Sequence, residues 1–334
     1  MAMKHIDVRQ RSPEWLIWRA NGITATDLPV ILGVSPYKTP WQLFAEKTGL
    51  INQTDISGNP FVQRGNALED TARQKVEAHT GELLFPLCGE CLELPILRAS
   101  FDGMDSQNKP HELKVPHPTT LEEIETNQIE SSTYILYEAQ VETQCVVAGV
   151  SEGLLSFYRE EGEDIEFVIT LTDTRRTEIL NAAKYFWNLV QTNTAPQADP
   201  AKDWFIPDSI DEQFKWDAYA DAWRSQHQCI KSLKENLKLL EAEQKDIQQQ
   251  LITLMGPYRH ADMGGVKIAR FEKKGTIDYT AFFKDTFPDQ NYSDKLELFR
   301  KAPHSEARFT KSEDELVNLE ARNTVITTVK SAYF

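Results

Sequence analysis

The sequence predicts an α/β fold, with a mixed central sheet flanked by helices, followed by a long helix and a small α+β extension. In the first part of the chain, short apolar runs alternate with amphipathic stretches of helical period. A stretch rich in Pro, Ala and Asp follows at 193–207, and beyond it apolar residues recur in an unbroken heptad pattern. These observations predict four segments: a core at 1–195, a linker at 196–210, a heptad helix at 211–256 and a C-terminal α+β region at 257–334.

Composition narrows the classes of protein to consider. The 334 residues are 40% hydrophobic, which suffices for a packed core. No stretch approaches the roughly 18 apolar residues of a membrane span, and residues 1–12 lack the apolar run of a signal peptide, so we expect a cytoplasmic protein. The net charge of −15 argues against non-specific nucleic-acid binding over the whole surface. A nucleic acid would have to follow a local positive channel.

Helix-start and helix-stop signals dominate the first eighty residues. Helices are predicted at Ser12–Arg19, from Thr39 to near Gly49, and at Arg64–His79. A capping box is predicted at the second of these, with Thr39 as the cap and a glutamine three residues later. Thr26 is predicted to cap the short apolar helix that follows it, because a proline then falls at the third helical position.

After these helices the apolar period changes to that of strands. The predicted elements are strands at 82–88, 92–101 and 110–115, a helix at 131–150, strands at 153–159 and 165–171, and a helix at 173–192. Cys88-Gly-Glu-Cys91 lies between the first two runs and is predicted to form a two-residue hairpin turn. A metal site is the alternative for this pair, but no second cysteine pair or nearby histidine pair completes four ligands.

Asp102, Glu112 and Lys114 form the most informative motif. Glu112 and Lys114 are two residues apart on one predicted strand, so they project from the same face, and Asp102 ends the preceding run. Two carboxylates and an amine that converge there suit phosphodiester hydrolysis. The acids bind Mg²⁺, which acidifies a water, and the lysine orients or deprotonates that water. An ordinary solvated strand face is the alternative.

The C-terminal third carries two further patterns. Ten apolar residues occupy a and d heptad positions between Trp216 and Leu254, and only Gln226 and Gln244 interrupt them. A coiled coil and a single amphipathic helix packed on its own domain both remain open. A hairpin predicted at 264–279 gathers basic residues that we expect to contact DNA: Lys267, Arg270, Lys273 and Lys274.

Several segments in the first half of the chain resemble the YqaJ-type viral recombinases, which group with phage lambda exonuclease in the PD-(D/E)XK nuclease superfamily. Over residues 11–190 the motifs occur in the family's order: Trp15-x3-Arg19-x2-Gly-Ile-Thr-Ala-Thr26, Leu32-Gly-x-Ser35-Pro-Tyr37, Arg64-Gly-x3-Glu69, Ser100-Phe-Asp-Gly103, Glu112-Leu-Lys114 and Tyr137-x2-Gln140. Each motif is weak alone, but their common order makes coincidence a poor explanation. The resemblance implies a restriction-endonuclease-like core.

The resemblance also implies a metal centre. Asp102 and Glu112 resemble the principal Mg²⁺ ligands, and the carbonyl of Leu113 resembles a further ligand. Glu69 is similar to the family's helical acid, which acts on a second ion or its waters. Lys114 is similar to the residue that positions or activates the attacking water. Two ions per site are therefore expected, with Mn²⁺ as a substitute for Mg²⁺.

Further residues resemble the family's groups for binding and ordering the substrate. Arg19 and Thr26, with Ser35 as a weaker candidate, are expected to grip the 5′-phosphate of the recessed strand, because arginine binds phosphate bidentately. A plain helix cap is the alternative for Thr26. Tyr137 and Gln140 are expected to order the water or the scissile phosphate, with an ordinary buried polar contact as the alternative. A pocket that accepts only a strand end implies exonuclease action.

The implied function is a Mg²⁺-dependent 5′→3′ exonuclease on double-stranded DNA ends that leaves 3′ single-stranded overhangs for annealing recombination. The alternatives are an endonuclease or nickase of the same superfamily and a catalytically inactive DNA-end or partner-binding module. The resemblance further implies a single-strand annealing protein as partner, a homo-oligomer (a trimer in the family), and a phage- or prophage-encoded protein acting in a bacterial host. Ile51, Ile56 and Phe61 are candidate wedges that open the duplex end, with buried anchors of the loop as the alternative.

Overall fold

The structure, a computed structural model, describes residues 3–52 and 58–271, together with the single positions 275, 278, 282 and 285. Over these residues the chain divides into two compact units between Ile206 and Pro207. No helix in the described part of the chain is long and apolar enough to cross a membrane. The predicted mixed α/β class is confirmed, because both units contain helices and strands.

The strands of the first unit form two small sheets. They are β1 (Met3–Ile6), β2 (Ile23–Thr24), β3 (Leu87–Cys91), β4 (Leu97–Phe101), β5 (Gly103–Met104), β6 (Pro110–Lys114), β7 (Glu152–Phe157) and β8 (Ile165–Thr170). The first sheet has the order β1-β3-β4-β2 and the second the order β5-β6-β7-β8. The pairs β2–β4 and β6–β7 are parallel, so both sheets are mixed. Because β4 leads almost directly into β5, the two sheets adjoin at residue 102.

Helices surround these sheets. They are α1 (Pro13–Ala20), α2 (Leu28–Ile31), α3 (Pro40–Lys47), α4 (Pro60–Thr80), α5 (Pro118–Asn127), α6 (Ser132–Ala148) and α7 (Asp173–Gln191). The sequence analysis missed α5, β1, β2 and β5, began the strand β3 too early at residue 82, and began α4 four residues late. Asn59 caps α4, and Gly81 ends it in the left-handed conformation (φ +73°). The capping box predicted at Thr39 is confirmed.

Helix α6 is the central element of the core. Every residue from Ala139 to Ala148 is buried, although four of these ten residues are polar. The helix packs against strands of both sheets and approaches β7 closely at Gly153. A Cβ atom at Gly153 would lie 2.6 Å from Cγ1 of Val141 and 2.9 Å from Sγ of Cys145. The buried polar side chains of α6 are therefore held at a fixed height above the sheets.

Two sequence predictions in this unit are wrong. Cys88-Gly-Glu-Cys91 is not a hairpin turn but lies within β3, which pairs with both β1 and β4. Lys4 on the short strand β1 forms an ion pair with Glu90, one of the two residues that suggested a turn. Thr26 does not cap α2, because Asp27 occupies the cap position without a side-chain hydrogen bond to the helix.

The second unit contains α8 (Ile210–Met255) and a hairpin of β9 (His260–Met263) and β10 (Val266–Ala269). The long helix is confirmed, and most of its heptad residues are exposed. The hairpin turn lies at Gly264-Gly265, before the basic residues rather than among them. Arg270 donates to the carbonyls of Ile252 and Gly256 at the end of α8, which is a structural contact.

Candidate active site

Glu112 is the most deeply buried carboxylate of the candidate site. It lies on β6, between β5 and β7, and its side chain is 1% exposed. Its Oε1 accepts a hydrogen bond from Nε2 of Gln140 at 2.6 Å, and its Oε2 accepts one from Nε2 of Gln144 at 2.5 Å. The two glutamines are one turn apart on α6 and face the same side. A buried carboxylate needs such donors, because burial without hydrogen bonds costs several kcal/mol.

Lys114 lies two residues further along β6 and completes the contacts of Glu112. Its Nζ forms an ion pair with Oε1 of Glu112 and lies 4.6 Å from the ring centroid of Tyr137. Burial acts to lower the pKa of Lys114, but Glu112, Tyr137 and Asp102 together outweigh it, so the pKa is raised. Lys114 is therefore an ammonium group that donates hydrogen bonds and cannot accept a proton in this arrangement.

Asp102 joins the two sheets and reaches β6 from the side. Its Oδ2 accepts a hydrogen bond from the backbone N–H of Leu113 at 3.0 Å. Burial and the charge of Glu112 raise the pKa of Asp102 to about 7, while Lys114 acts in the opposite direction. The structure thus brings together Asp102, Glu112 and Lys114, as the sequence predicted.

Glu69 lies on α4, and its carboxylate forms ion pairs with two arginines. Its Oε2 pairs with Arg11, whose backbone adopts the left-handed conformation (φ +69°), and its Oε1 accepts from Arg73 at 3.3 Å. Nε of Arg73 also donates to the carbonyl of Asp102 at 2.8 Å, which ties α4 to the active site. Among the described residues, no three His, Cys, Asp or Glu side chains are close enough to hold a metal ion. The predicted trio with Asp102 and Glu112 is therefore not assembled.

The chemistry of Asp102 and Glu112 nevertheless fits a hard divalent cation. Both offer carboxylate oxygens, the ligand type that Mg²⁺ prefers. Burial, together with the nearby charge of Glu112, makes a negative charge on Asp102 costly and raises its pKa. A cation beside both groups would remove that cost. The structure describes no contact of the Leu113 carbonyl that tests its predicted role.

Arg19 and Thr26 are in direct contact, as a shared phosphate pocket requires. Nη2 of Arg19 donates to Oγ1 of Thr26 at 2.7 Å, and the hydroxyls of Thr24 and Thr26 are 2.8 Å apart. The guanidinium group lies 4.5 Å from the ring centroid of Trp15. Burial lowers the pKa of Arg19, and Glu112 is among the charges that oppose this shift, so the pair lies within electrostatic range of the active site.

Other predicted residues lie elsewhere or adjoin the site only indirectly. Oγ of Ser35 accepts from the N–H of Tyr37 at 3.3 Å, and no contact between Ser35 and the Arg19–Thr26 pair is described. Ile51 is a buried anchor rather than a wedge, because it packs with Trp41 and Ala45. Phe61 is exposed and remains a candidate wedge. The predicted residues outside the described part of the chain are Ile56, Lys273 and Lys274.

Three residues of the site were not assigned a role from the sequence: Gln144, Arg73 and Arg11. Gln144 follows Gln140 at helical spacing, and that spacing was the available signal. Arg73 follows Glu69 by four residues on the same helix, which is also a recognisable pair. Nothing in the local sequence distinguishes Arg11 from other surface arginines.

Comparison with known proteins identifies the segment that carries this site. Residues 14–151 match the family model of the YqaJ-like viral recombinase domain. This segment is similar to that family. The resemblance predicted from the sequence is thereby confirmed, although the match ends at residue 151 rather than near residue 190. The YqaJ-like segment contains every core residue predicted for the site, from Arg19 to Gln140.

Individual relatives extend the comparison. An uncharacterized protein YqaJ of Bacillus subtilis (strain 168) is 26% identical over 300 residues, covering 83% of this chain and 88% of the relative. The crystal structure of an alkaline exonuclease (LHK-Exo) from Laribacter hongkongensis is 22% identical, with a TM-score of 0.47, and the match covers 55% of this chain and 94% of that chain. The LHK-Exo complex with dAMP matches at 23% identity with the same TM-score and coverage.

Proposed function

We propose that this chain is a metal-dependent exonuclease that degrades the 5′-ended strand of double-stranded DNA and leaves a 3′ single-stranded overhang. The observation that carries the proposal is the cluster of Asp102, the buried Glu112 and Lys114 inside a YqaJ-like segment. A solvated strand face does not account for this cluster, because Glu112 is 1% exposed and receives three polar contacts. Burying a charge so completely is costly and marks a functional site.

The residues of the cluster divide the work of phosphodiester hydrolysis. Asp102 and Glu112 would hold Mg²⁺ or Mn²⁺, and the ion would polarise the phosphate and acidify a water. Gln140 and Gln144 fix the Glu112 carboxylate, and the N–H of Leu113 fixes that of Asp102. Lys114, as an ammonium group, donates to the attacking water or to a phosphate oxygen.

The outer groups complete the proposed site. Tyr137 packs beside Lys114 and restricts where its ammonium group can point. Glu69 would serve a second ion or its waters, and it would then have to exchange its ion pairs with Arg11 and Arg73.

The Arg19–Thr26 pair supplies the proposed direction of digestion. An arginine and a hydroxyl in contact present donors that together suit a terminal phosphate. A pocket that holds a strand end beside the cleavage centre favours removal of nucleotides from that end. An endonuclease is the second candidate, and it would need the same pocket to admit a continuous strand.

A cavity lined by three arginines and two acidic residues is the proposed path for the strand on an acidic protein. The cavity, of about 700 Å³, is lined in part by Arg9, Arg11, Arg73 and Glu69. This volume is in the range of nucleotide-sized ligands. The overhang produced would be a substrate for a single-strand annealing protein, and we propose such a partner in a bacterial cytoplasm.

One assay separates the proposed function from its alternatives. The protein is incubated with Mg²⁺ and three DNA substrates: linear DNA with 5′-phosphate ends, linear DNA with 5′-hydroxyl ends, and closed circles. We expect rapid loss of the phosphorylated linear form only, with release of mononucleotides and survival of the 3′-ended strand. Cutting of circles would instead support an endonuclease, and no cutting in Mg²⁺ or Mn²⁺ would support a binding module.

Two substitutions test the assigned roles in the same assay. Lys114→Met removes the ammonium group and should lower the cleavage rate by at least about 100-fold while leaving DNA binding intact. Arg19→Ala should reduce the preference for phosphorylated over hydroxyl ends. Arg176→Ala is the matched control, because Arg176 pairs with Glu93 on the surface. Unchanged cleavage by Lys114→Met, or an unchanged end preference of Arg19→Ala, would contradict the corresponding role.

A further inference from the structure

Helix α8 presents a long apolar surface that the proposed nuclease function does not use. The helix has 46 residues and is therefore about 69 Å long. Eight of its ten apolar a and d residues are 50–83% exposed. We call these ten residues the seam: Trp216, Tyr219, Trp223, Ile230, Leu233, Leu237, Leu240, Ile247, Leu251 and Leu254. An apolar strip of this length on a helix is typical of an interface.

We propose that the seam binds the seam of a second copy of this chain, in an antiparallel two-stranded coiled coil. The order of residues along the seam is self-complementary. The two polar interruptions, Gln226 and Gln244, each lie nine positions from Glu235. In an antiparallel pair centred at Glu235, Gln226 of one copy therefore faces Gln244 of the other, where the two amides can hydrogen-bond to each other. Every other layer of the pair is apolar on both sides.

Side-chain size favours the antiparallel orientation over the parallel one. The aromatic residues occupy the first half of the seam and aliphatic residues the second half. Antiparallel pairing places one large residue opposite a smaller one in each outer layer: Trp216 with Leu254, Tyr219 with Leu251 and Trp223 with Ile247. Parallel pairing would put each tryptophan against its own copy and force the helices apart at one end. Alternating large and small residues keeps the helix separation even.

The flanking charges are compatible with this pairing. His227 of one copy would lie beside Glu241 of the other, twice by symmetry. The two copies of Lys234 would meet near the centre, but both are exposed, so their repulsion is screened by solvent.

The buried area is also sufficient for a stable dimer. Ten side chains, most of them more than half exposed, would each remove on the order of 100 Å² from water. The total, about 1000 Å² per copy, exceeds the roughly 800 Å² per partner of a standard interface.

The first test measures the mass of the full chain in solution by light scattering after size exclusion. Leu240→Glu places a charge opposite Ile230 in two symmetric layers, so we expect the mass to fall by half and the dimer dissociation constant to rise by at least about 100-fold. Leu239→Glu is the matched control. Leu239 is the neighbouring residue on the same helix with similar exposure, 64% against 61%, but it lies off the seam. Equal masses for the two variants would overturn the proposal.

The second test reads the orientation and uses substitutions at exposed positions, which do not threaten folding. Cys229 is exposed at a flanking position of α8, whereas Cys88, Cys91 and Cys145 are buried. In the antiparallel pair Cys229 lies beside residue 243 of the other copy, so Glu243→Cys should give covalent dimers with a short bis-maleimide. In a parallel pair Cys229 would lie beside residue 234 instead. Lys234→Cys does not distinguish the orientations, because the two copies of residue 234 also meet in the antiparallel pair. Absence of cross-linking through Glu243→Cys would overturn the antiparallel arrangement. Neither test depends on nuclease activity.

Discussion

Glu112 shows how a single carboxylate depends on its surroundings. It is buried on a central strand and is held by an amine from the same strand and by two amides from α6. A carboxylate at this depth is costly unless its oxygens accept hydrogen bonds. The amides of Gln140 and Gln144 satisfy both oxygens and fix the orientation of the carboxylate.

Removal of one amide tests this dependence. Gln144→Leu leaves Oε2 of Glu112 without its donor, and we expect a loss of about 1–3 kcal/mol in the free energy of unfolding and at least a tenfold slower cleavage. Thr143→Val is the matched control, because Thr143 is equally buried on α6 but bonds only to the carbonyl of Ala139. Urea unfolding and the nuclease assay measure the two effects. Equal behaviour of the two variants would remove Gln144 from the site.

Asp102 gives the site a pH dependence. Its pKa is about 7 in the folded protein, whereas an unfolded aspartate titrates near about 3.9. The folded state therefore binds the proton more tightly. This tighter binding stabilises the folded state fully below about pH 4, and the stabilisation is lost as the pH rises to about 7. In EDTA, we expect the melting temperature of Asp102→Asn, relative to that of the wild type, to rise between about pH 4 and about pH 7. If the melting temperatures of the two proteins changed in parallel across these pH values, the raised pKa of Asp102 would be contradicted.

Bound Mg²⁺ should offset the unfavourable free energy of the negative charge on Asp102. At pH 8 without metal Asp102 is charged beside Glu112, and a bound cation would offset both charges. At ten times its dissociation constant the ion would stabilise the wild type by about 1.4 kcal/mol. The melting temperature of Asp102→Asn should respond much less to Mg²⁺, and calorimetry measures both proteins. An equal response would place the ion elsewhere.

At the residue scale, the sequence predicted contacts that local patterns determine and missed contacts between distant segments. Glu112 and Lys114 were placed together correctly because alternation along a strand fixes their side. The contact of Arg19 with Thr26 was anticipated only through the family resemblance. Arg11 was missed because its approach to Glu69 depends on a left-handed backbone at residue 11 and on packing between distant segments.

At the scale of elements, a pattern within one helical turn predicted the start of α3 correctly, whereas strand pairing between distant segments was not predicted. The capping box at Thr39 depends on residues within one helical turn, and it is confirmed. The turn predicted at Cys88–Cys91 failed because β3 lies between two partner strands, and one of them, β1, is too short to recognise. The heptad pattern predicted α8 well because its period persists over six heptads.

At the scale of the molecule, the net charge of −15 limits where DNA can bind. The cavity lined by Arg9, Arg11 and Arg73 is the proposed entry for the strand. Arg9→Gln removes one positive charge without disturbing the ion pairs of Glu69. We expect weaker DNA binding and a salt-dependence slope smaller by about 1, measured by fluorescence anisotropy with catalysis blocked by EDTA. Arg176→Gln should leave the slope unchanged, and an equal change in both variants would exclude this path.

The close approach of α6 to β7 at Gly153 has a consequence for reading mutational data. Gly153 is remote in sequence from the motif cluster and carries no chemical group, yet its bare backbone sets the distance over which Gln140 and Gln144 reach Glu112. A methyl group there would lift the helix from the sheet and lengthen both hydrogen bonds. Gly153→Ala would then look like the loss of a catalytic residue, although nothing that touches DNA had been altered. The spacing between α6 and β7 is therefore as much a part of the candidate site as the side chains that line it.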